Sequence, residues 1–398
     1  MKLLIVPDRR KVISASENYR RSGKEFLKSF SPILLLFYIN GVDLSLYPWR
    51  VSNKNEKKIH FSVFIQIGCM SALAFPTVCQ LLWVLILPMK KMEGPLLLVF
   101  VIQVSSYYFI RRSRNQIGQI LKILNRISNQ LQCNTDYRKR KTAICVFCIV
   151  MYSLIIAYLY TYFCSEQRII YQEYLKNYTL FSGFSKLSPN CLPLLRDFAV
   201  SCYALGNSIY LIGTTACYTF LCVQMRCLFL HIANQIQFVK REESAYLLLH
   251  AYDDLADVLS DLDNIFSYSV FVLVVSSMAG LFRSIYSLIF LQQTHFEFSI
   301  PHWFSGIYFS IVLLSVIFSA SETVQAGKLA RELIVSSPGV FPFRYMELKK
   351  MVRRKNLKRE IVLTLWKTYT IDRSLLFSAL GTLVSYGILI ATLGNVQS

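Results

Sequence analysis

The sequence predicts an all-α membrane protein: seven transmembrane helices, a cytoplasmic amino terminus, an extracellular carboxyl terminus and cytoplasmic helix extensions. Three observations carry that expectation: long uncharged apolar runs, a one-sided distribution of Lys and Arg, and a final stretch without any charge. Only 17% of the 398 residues are charged, and the mean hydropathy is +0.42. The apolar residues are gathered into runs, not spread as short strands or amphipathic stripes. A chain so built does not fold as a pair of water-soluble domains.

The runs are 60–88, 95–110, 142–164, 198–225, 264–282 with a continuation to 296, 298–321, and 374–398. A hydrocarbon core of about 30 Å needs roughly 20 helical residues at about 1.5 Å each, and six runs meet that length. The second is marginal, but Arg111 and Arg112 follow it at once, as basic residues do at the end of a span. Seven spans divide the chain into a cytoplasmic amino-terminal segment (1–59), helices one to six with their extensions (60–324), a cytoplasmic basic helix (325–373) and helix seven (374–398).

Placed on alternate sides of these spans, Lys and Arg number 12, 9, 3 and 11 on one side against 2, 4 and 1 on the other. The positive-inside rule then sets the amino terminus in the cytoplasm and the carboxyl terminus outside. Insertion topology accounts for the formal charge of +20, and no nucleic-acid role is needed. The start, MKLLIVPDRR, has too short an apolar core for a cleaved signal peptide. Asn177, in the sequon Asn177-Tyr178-Thr179, falls on the outer side as a candidate glycosylation site. Most of the 11 cysteines lie inside spans as small apolar residues. Cys164 and Cys191 flank one outer loop and are a candidate disulfide, though no spacing rule selects them.

Between the spans the patterns are helical. The short apolar piece 33–46 cannot span; it either dips into the interface or packs under the bundle. After span two, Ile117, Ile120, Leu121, Leu124 and Ile127 return at helical spacing, predicting an extension into the cytosol. Residues 226–263 predict a helical hairpin turning near 240–244, with Leu248, Tyr252, Leu255, Leu259 and Leu262 as its apolar stripe and seven acids around it. A basic helix is expected over 344–368, from Arg344 to Thr368. It has two readings, packing on the acidic hairpin or facing anionic lipid.

Catalytic signals are lacking. The five histidines have no metal-ligand spacing, and no phosphate loop or hydrolase motif occurs. No enzyme, metal or cofactor is expected. Asp and Glu are nearly absent from the spans, which argues against a proton-coupled transporter. Arg283 interrupts span five towards its outer end; snorkelling is the favoured account and ligand binding the alternative. Aromatic residues crowd the outer halves. Interfacial belts explain most of them, but Tyr158, Tyr162, Tyr286 and Trp303, with Arg283, are candidates for a small-molecule pocket.

In span seven, Ser374, Ser378, Gly381, Ser385 and Thr392 recur at steps of four, three, four and seven, and so share one helix face. Such a stripe packs against protein or lines water. A single helix encloses no conduit, so a pore demands several copies around an axis.

The segment TYTIDRSLLFSALGTLVSYGILIATL, from Thr368 to Leu393, resembles the last helix of the arthropod gustatory receptor family, which is related to insect odorant receptors. The family signature is Thr-Tyr, five apolar residues, then Gln-Phe. Here Ser385-Tyr386 leads to Thr392-Leu393, so Tyr386 and the spacing match while Thr392 stands at the family's Gln. Residues 371–377 and the early Gly-Val-Asp-Leu-Ser-Leu-Tyr-Pro at 41–48 also resemble the family. The resemblance implies a tastant-gated, non-selective cation channel of the plasma membrane. It implies a homotetramer or a heteromer with related receptors, with Ser378, Gly381, Ser385 and Thr392 lining the pore. Two alternatives remain. A G-protein-coupled receptor also has seven spans but places its amino terminus outside, and a divergent relative would lack a chemosensory role.

Overall fold

The computed structural model describes residues 30–39, 68, 71, 93–131, 133, 137–164, 191–238, 242–291, 299–336 and 361–395. Most of the first predicted span, the sequon at Asn177 and the basic stretch 344–360 lie outside them. Within them stand eight α-helices and one two-stranded hairpin: α1 (Ser31–Ile39), α2 (Glu93–Arg112), α3 (Arg114–Gln130), α4 (Tyr137–Cys164), α5 (Cys191–Ile236), α6 (Glu242–Leu291), α7 (Ile300–Ser336), β1 (Thr364–Leu365), β2 (Tyr369–Thr370) and α8 (Arg373–Asn395).

Length is the first architectural fact. Helices α5, α6 and α7 have 46, 50 and 37 residues. At about 1.5 Å per residue each is far longer than a bilayer core of about 30 Å. Each is therefore long enough to hold a spanning part and a long projection. Four helical stretches among the described residues are long and apolar enough to cross a membrane: Lys139–Cys164, Tyr210–Ile236, Tyr246–Leu288 and Ile300–Ser336.

The core is the mutual packing of α5, α6 and α7, with α4 on α5 and α7, α2 on α6, and α3 on α6 and α5. Small residues permit the α5–α7 approach. Thr323 on α7 donates from Oγ1 to the Cys222 carbonyl of α5 at 2.8 Å, and both helices bury their hydroxyls there. The projections are held by the stripes read from sequence. Ile117, Ile120, Leu121, Leu124 and Ile127 of α3 are buried, as are Leu248, Tyr252, Leu255, Leu259 and Leu262 of α6. Arg126 of α3 pairs with Asp254 of α6 at 3.0 Å. The short α1 packs on the bundle: Phe30, Ile33, Leu34 and Phe37 are buried, and the Phe30 ring meets Phe220 edge-on at 4.1 Å.

Three expectations change. The hairpin turns earlier than 240–244, because α6 already begins at Glu242. The basic helix does not reach Thr368, since 361–363 are not helical and 364–370 form the β1–β2 hairpin, paired Thr364 with Thr370 and Leu365 with Tyr369. The physical reason is burial at period two. Ile361, Leu363 and Leu365 are buried in alternation, which a helix cannot arrange. Cys164 is a free, exposed thiol, so the bridge to Cys191 is not formed; its face of α4 looks away from the packed side of that helix.

A candidate ligand cavity and the approach to the final helix

A cavity of about 820 Å³, counted out to its open mouth, lies among α2, α4, α5, α6 and α7. Five helices contribute because each crosses the same level with a small or polar residue turned inward. Ala204 and Ser208 come from α5, Ser276, Ala279 and Gly280 from α6, and Gln103 from α2. Gln103 donates from Nε2 to Ser276 Oγ at 2.9 Å, which satisfies both groups in a buried floor. Val99, Leu154, Ile155, Phe304 and Phe309 form apolar walls, and Tyr158, Arg283, His302, Ser305 and Tyr308 complete the lining. Among the described residues, His302 Nε2 is buried without a hydrogen-bond partner.

Gly280 is shaped by its neighbour. A Cβ there would lie 2.2 Å from Phe309 Cδ2 and 2.3 Å from Cε2, so the ring occupies the space a side chain would take. The missing Cβ thus lets the Phe309 ring pack directly on the α6 backbone at the edge of the cavity.

Of the aromatic and basic candidates from sequence, Tyr158 and Arg283 line this cavity. Tyr162 does not, but it stacks on Tyr158 with centroids 6.3 Å apart. Tyr286 is half-buried and Trp303 is 56% exposed, and neither is among the lining residues. Sequence reasoning missed Gln103, Ser276, Gly280, His302 and Phe309. For Gln103 and Ser276 a signal existed, since polar side chains inside apolar runs need a partner or a ligand.

The second feature is the route into α8. At its foot, Asp263 of α6 accepts the Thr364 N–H at 2.6 Å and the Thr364 hydroxyl at 3.0 Å, and it pairs with Lys367. Trp366 and Lys367 have φ of 46° and 60°, a left-handed conformation that side chains resist. The strained turn is held by several bonds at once. Trp366 N–H donates to the Ser267 carbonyl at 3.0 Å, Thr368 N–H closes on the Leu365 carbonyl at 2.9 Å, and the indole packs on Tyr268 and Phe271. On the other side Glu322 of α7 takes Arg226 of α5 at 2.8 Å and also Arg373, the first residue of α8.

Helix α8 is capped by Asp372, whose Oδ1 accepts the Leu375 N–H at 3.1 Å and the Ser374 hydroxyl at 2.7 Å. The Ser374 hydroxyl, then the backbone N–H groups, hold this carboxyl below its ordinary range. Along the helix, Ala379 and Leu383 are buried against the bundle. Ser378, Gly381 and Ser385 are exposed, and nothing lies within 4 Å of a Cβ built on Gly381. The side chains of Tyr386, Thr392 and Leu393 lie outside the described residues.

No family model and no curated protein matches the sequence. Solved structures do. The insect olfactory receptor OR5 of Machilis hrabei superposes with a TM-score of 0.67 at 12% identity, covering 92% of this chain and 98% of that one. The same receptor in complex with eugenol gives 0.68 at 12% identity, covering 93% and 99%. The chain has the insect olfactory receptor fold.

Proposed function

We propose that this chain is a subunit of an insect-type chemoreceptor channel, of the gustatory kind, that opens to cations when a small molecule occupies the cavity. The observation that carries the proposal is the likeness, over almost the full length of both chains, to a receptor also solved with eugenol bound. A cavity walled by five helices of this chain suits such a ligand. The same likeness takes support from the G-protein-coupled alternative, as does the charge asymmetry of the loops.

In this reading seven helices cross the plasma membrane with the amino terminus in the cytoplasm. The α8 helices of four subunits, identical or related, surround a pore. The stripe of Ser378, Gly381 and Ser385, which its own bundle leaves bare, faces water there, and Thr392 follows at the same helical spacing. Asp263 and Glu322 tie the foot of α8 to α5, α6 and α7, so a shift of those helices on ligand binding reaches the pore through bonded groups. Tyr158, Arg283 and His302 meet the ligand, and Asn177 is a glycosylation site on the outer side.

Expression of the chain in a cell without added G protein tests this. The expected result is a ligand-evoked cation current whose ion selectivity changes with substitutions at Thr392. A strictly monomeric purified particle, or an amino terminus reached by antibody from outside, contradicts it.

A further inference from the structure

Arg283 and His302 are the two basic side chains lining the cavity, and no Asp or Glu stands among the described lining residues. Asp197 of α5 is buried but does not line the cavity. A cationic ligand would meet the Arg283 guanidinium with no lining acid to receive it. A polyol would find partners at Ser208 and Ser305 but would leave its other hydroxyls unpaired against Leu154, Ile155 and Phe309. At the floor, Gln103 and Ser276 already satisfy each other, so the far end of a ligand needs no polar group. His302 Nε2 is buried and lacks a partner among the described residues, so a ligand oxygen is the group that would complete it.

We propose that the cavity binds an anionic amphiphile, a carboxylic acid with an unbranched apolar tail, the carboxylate held by Arg283 and His302 and the tail lying along the apolar walls. This rests on the cavity being the ligand site. A guanidinium presents a planar fork that matches a carboxylate, and such charge-assisted bonds are the stronger kind. At neutral pH such an acid is ionised, whereas its alcohol offers the same tail without the charge.

The test is equilibrium binding of radiolabelled octanoate to the purified full chain in lipid nanodiscs, with 1-octanol and octylamine as competitors. Octanoate is expected to bind at least about tenfold more tightly than octanol, the step that one charge-assisted pair supplies, and octylamine most weakly. Arg283→Gln is expected to erase the difference between octanoate and octanol. His302→Ala is expected to weaken octanoate by a smaller factor. Equal or tighter binding of octanol or octylamine, no binding of any of the three, or an acid preference that survives Arg283→Gln overturns the proposal. Ala279→Phe, which sets a bulky ring among the lining side chains, separates this from the reading beneath it. If all three compounds bind that variant as tightly as the unsubstituted chain, the cavity is not the ligand site; if binding is weakened but octanol had matched octanoate, only the acid class fails.

Discussion

Two residues define what the cavity and its connection to α8 can do. At Gly280 the Phe309 ring sits where a Cβ would be, 2.2 Å away at its nearest atom. Gly280→Ala must therefore displace the ring, which lines the cavity. Overpacking of this kind costs about 1–3 kcal/mol, so the half-maximal ligand concentration should rise roughly tenfold or more for bulky ligands. Small ligands should be affected less, and Phe309→Leu in the same chain should restore sensitivity; dose–response curves of the three variants decide it. At Asp263 one largely buried carboxylate holds Thr364 and Lys367 together. Asp263→Ala strands the Thr364 N–H and is expected to cost about 1–3 kcal/mol, read as a lower midpoint of thermal unfolding. Asp372 gives the pH-dependent case. Its folded value lies below the ordinary one, so its contribution is fully present above the usual carboxylate range and fades as pH falls through the folded value. Asp372→Ala at neutral pH should mimic that loss, raising amide exchange over residues 373–376 about fivefold.

Among the elements, the helices were far more legible than the hairpin. The stripes of α3 and α6 repeat at helical spacing over several turns, and every residue read in them is buried. Residues 361–368 read as helix from the sequence because a dense run of Lys and Arg precedes them. The turn at Trp366 and Lys367 has the positive φ pattern of a type I′ turn without the Asn or Gly that normally announces one. Its stability comes from α6, through Asp263, Ser267, Tyr268 and Phe271, more than 90 residues earlier in the chain, so no local window contains the cause. The cavity was half legible for the same reason. Tyr158 and Arg283 advertise themselves by type, whereas Gly280 and Ser276 acquire meaning only from the helices opposite them. Helix α8 carries its own prediction. Gly381 faces open space, so Gly381→Leu should leave the subunit folded and the quantity of surface protein unchanged. If the stripe lines a shared axis, the same change should abolish current. Surface biotinylation beside patch-clamp recording separates the two effects.

At the scale of the whole molecule, the account is one of unequal burial. Helices α5 to α7 bury their residues in each other and form the frame. Helix α4 leaves Ile149, Ile156 and Tyr160 more than 60% exposed, as a helix against hydrocarbon would. Helix α8 shows apolar Phe377 and Val384 on some faces and the small polar stripe on another, a mixture that a single subunit does not explain. Exposed apolar surface asks for lipid or protein, and the polar stripe asks for protein or water. A ring of subunits around α8 meets both demands at once. The most direct test is the ligand-evoked current of Ser385→Cys channels during exposure to a membrane-impermeant thiol reagent, with the unsubstituted chain as control. The account predicts that the reagent blocks the Ser385→Cys current and spares the control; a ligand-evoked current that the reagent leaves untouched in both would contradict it.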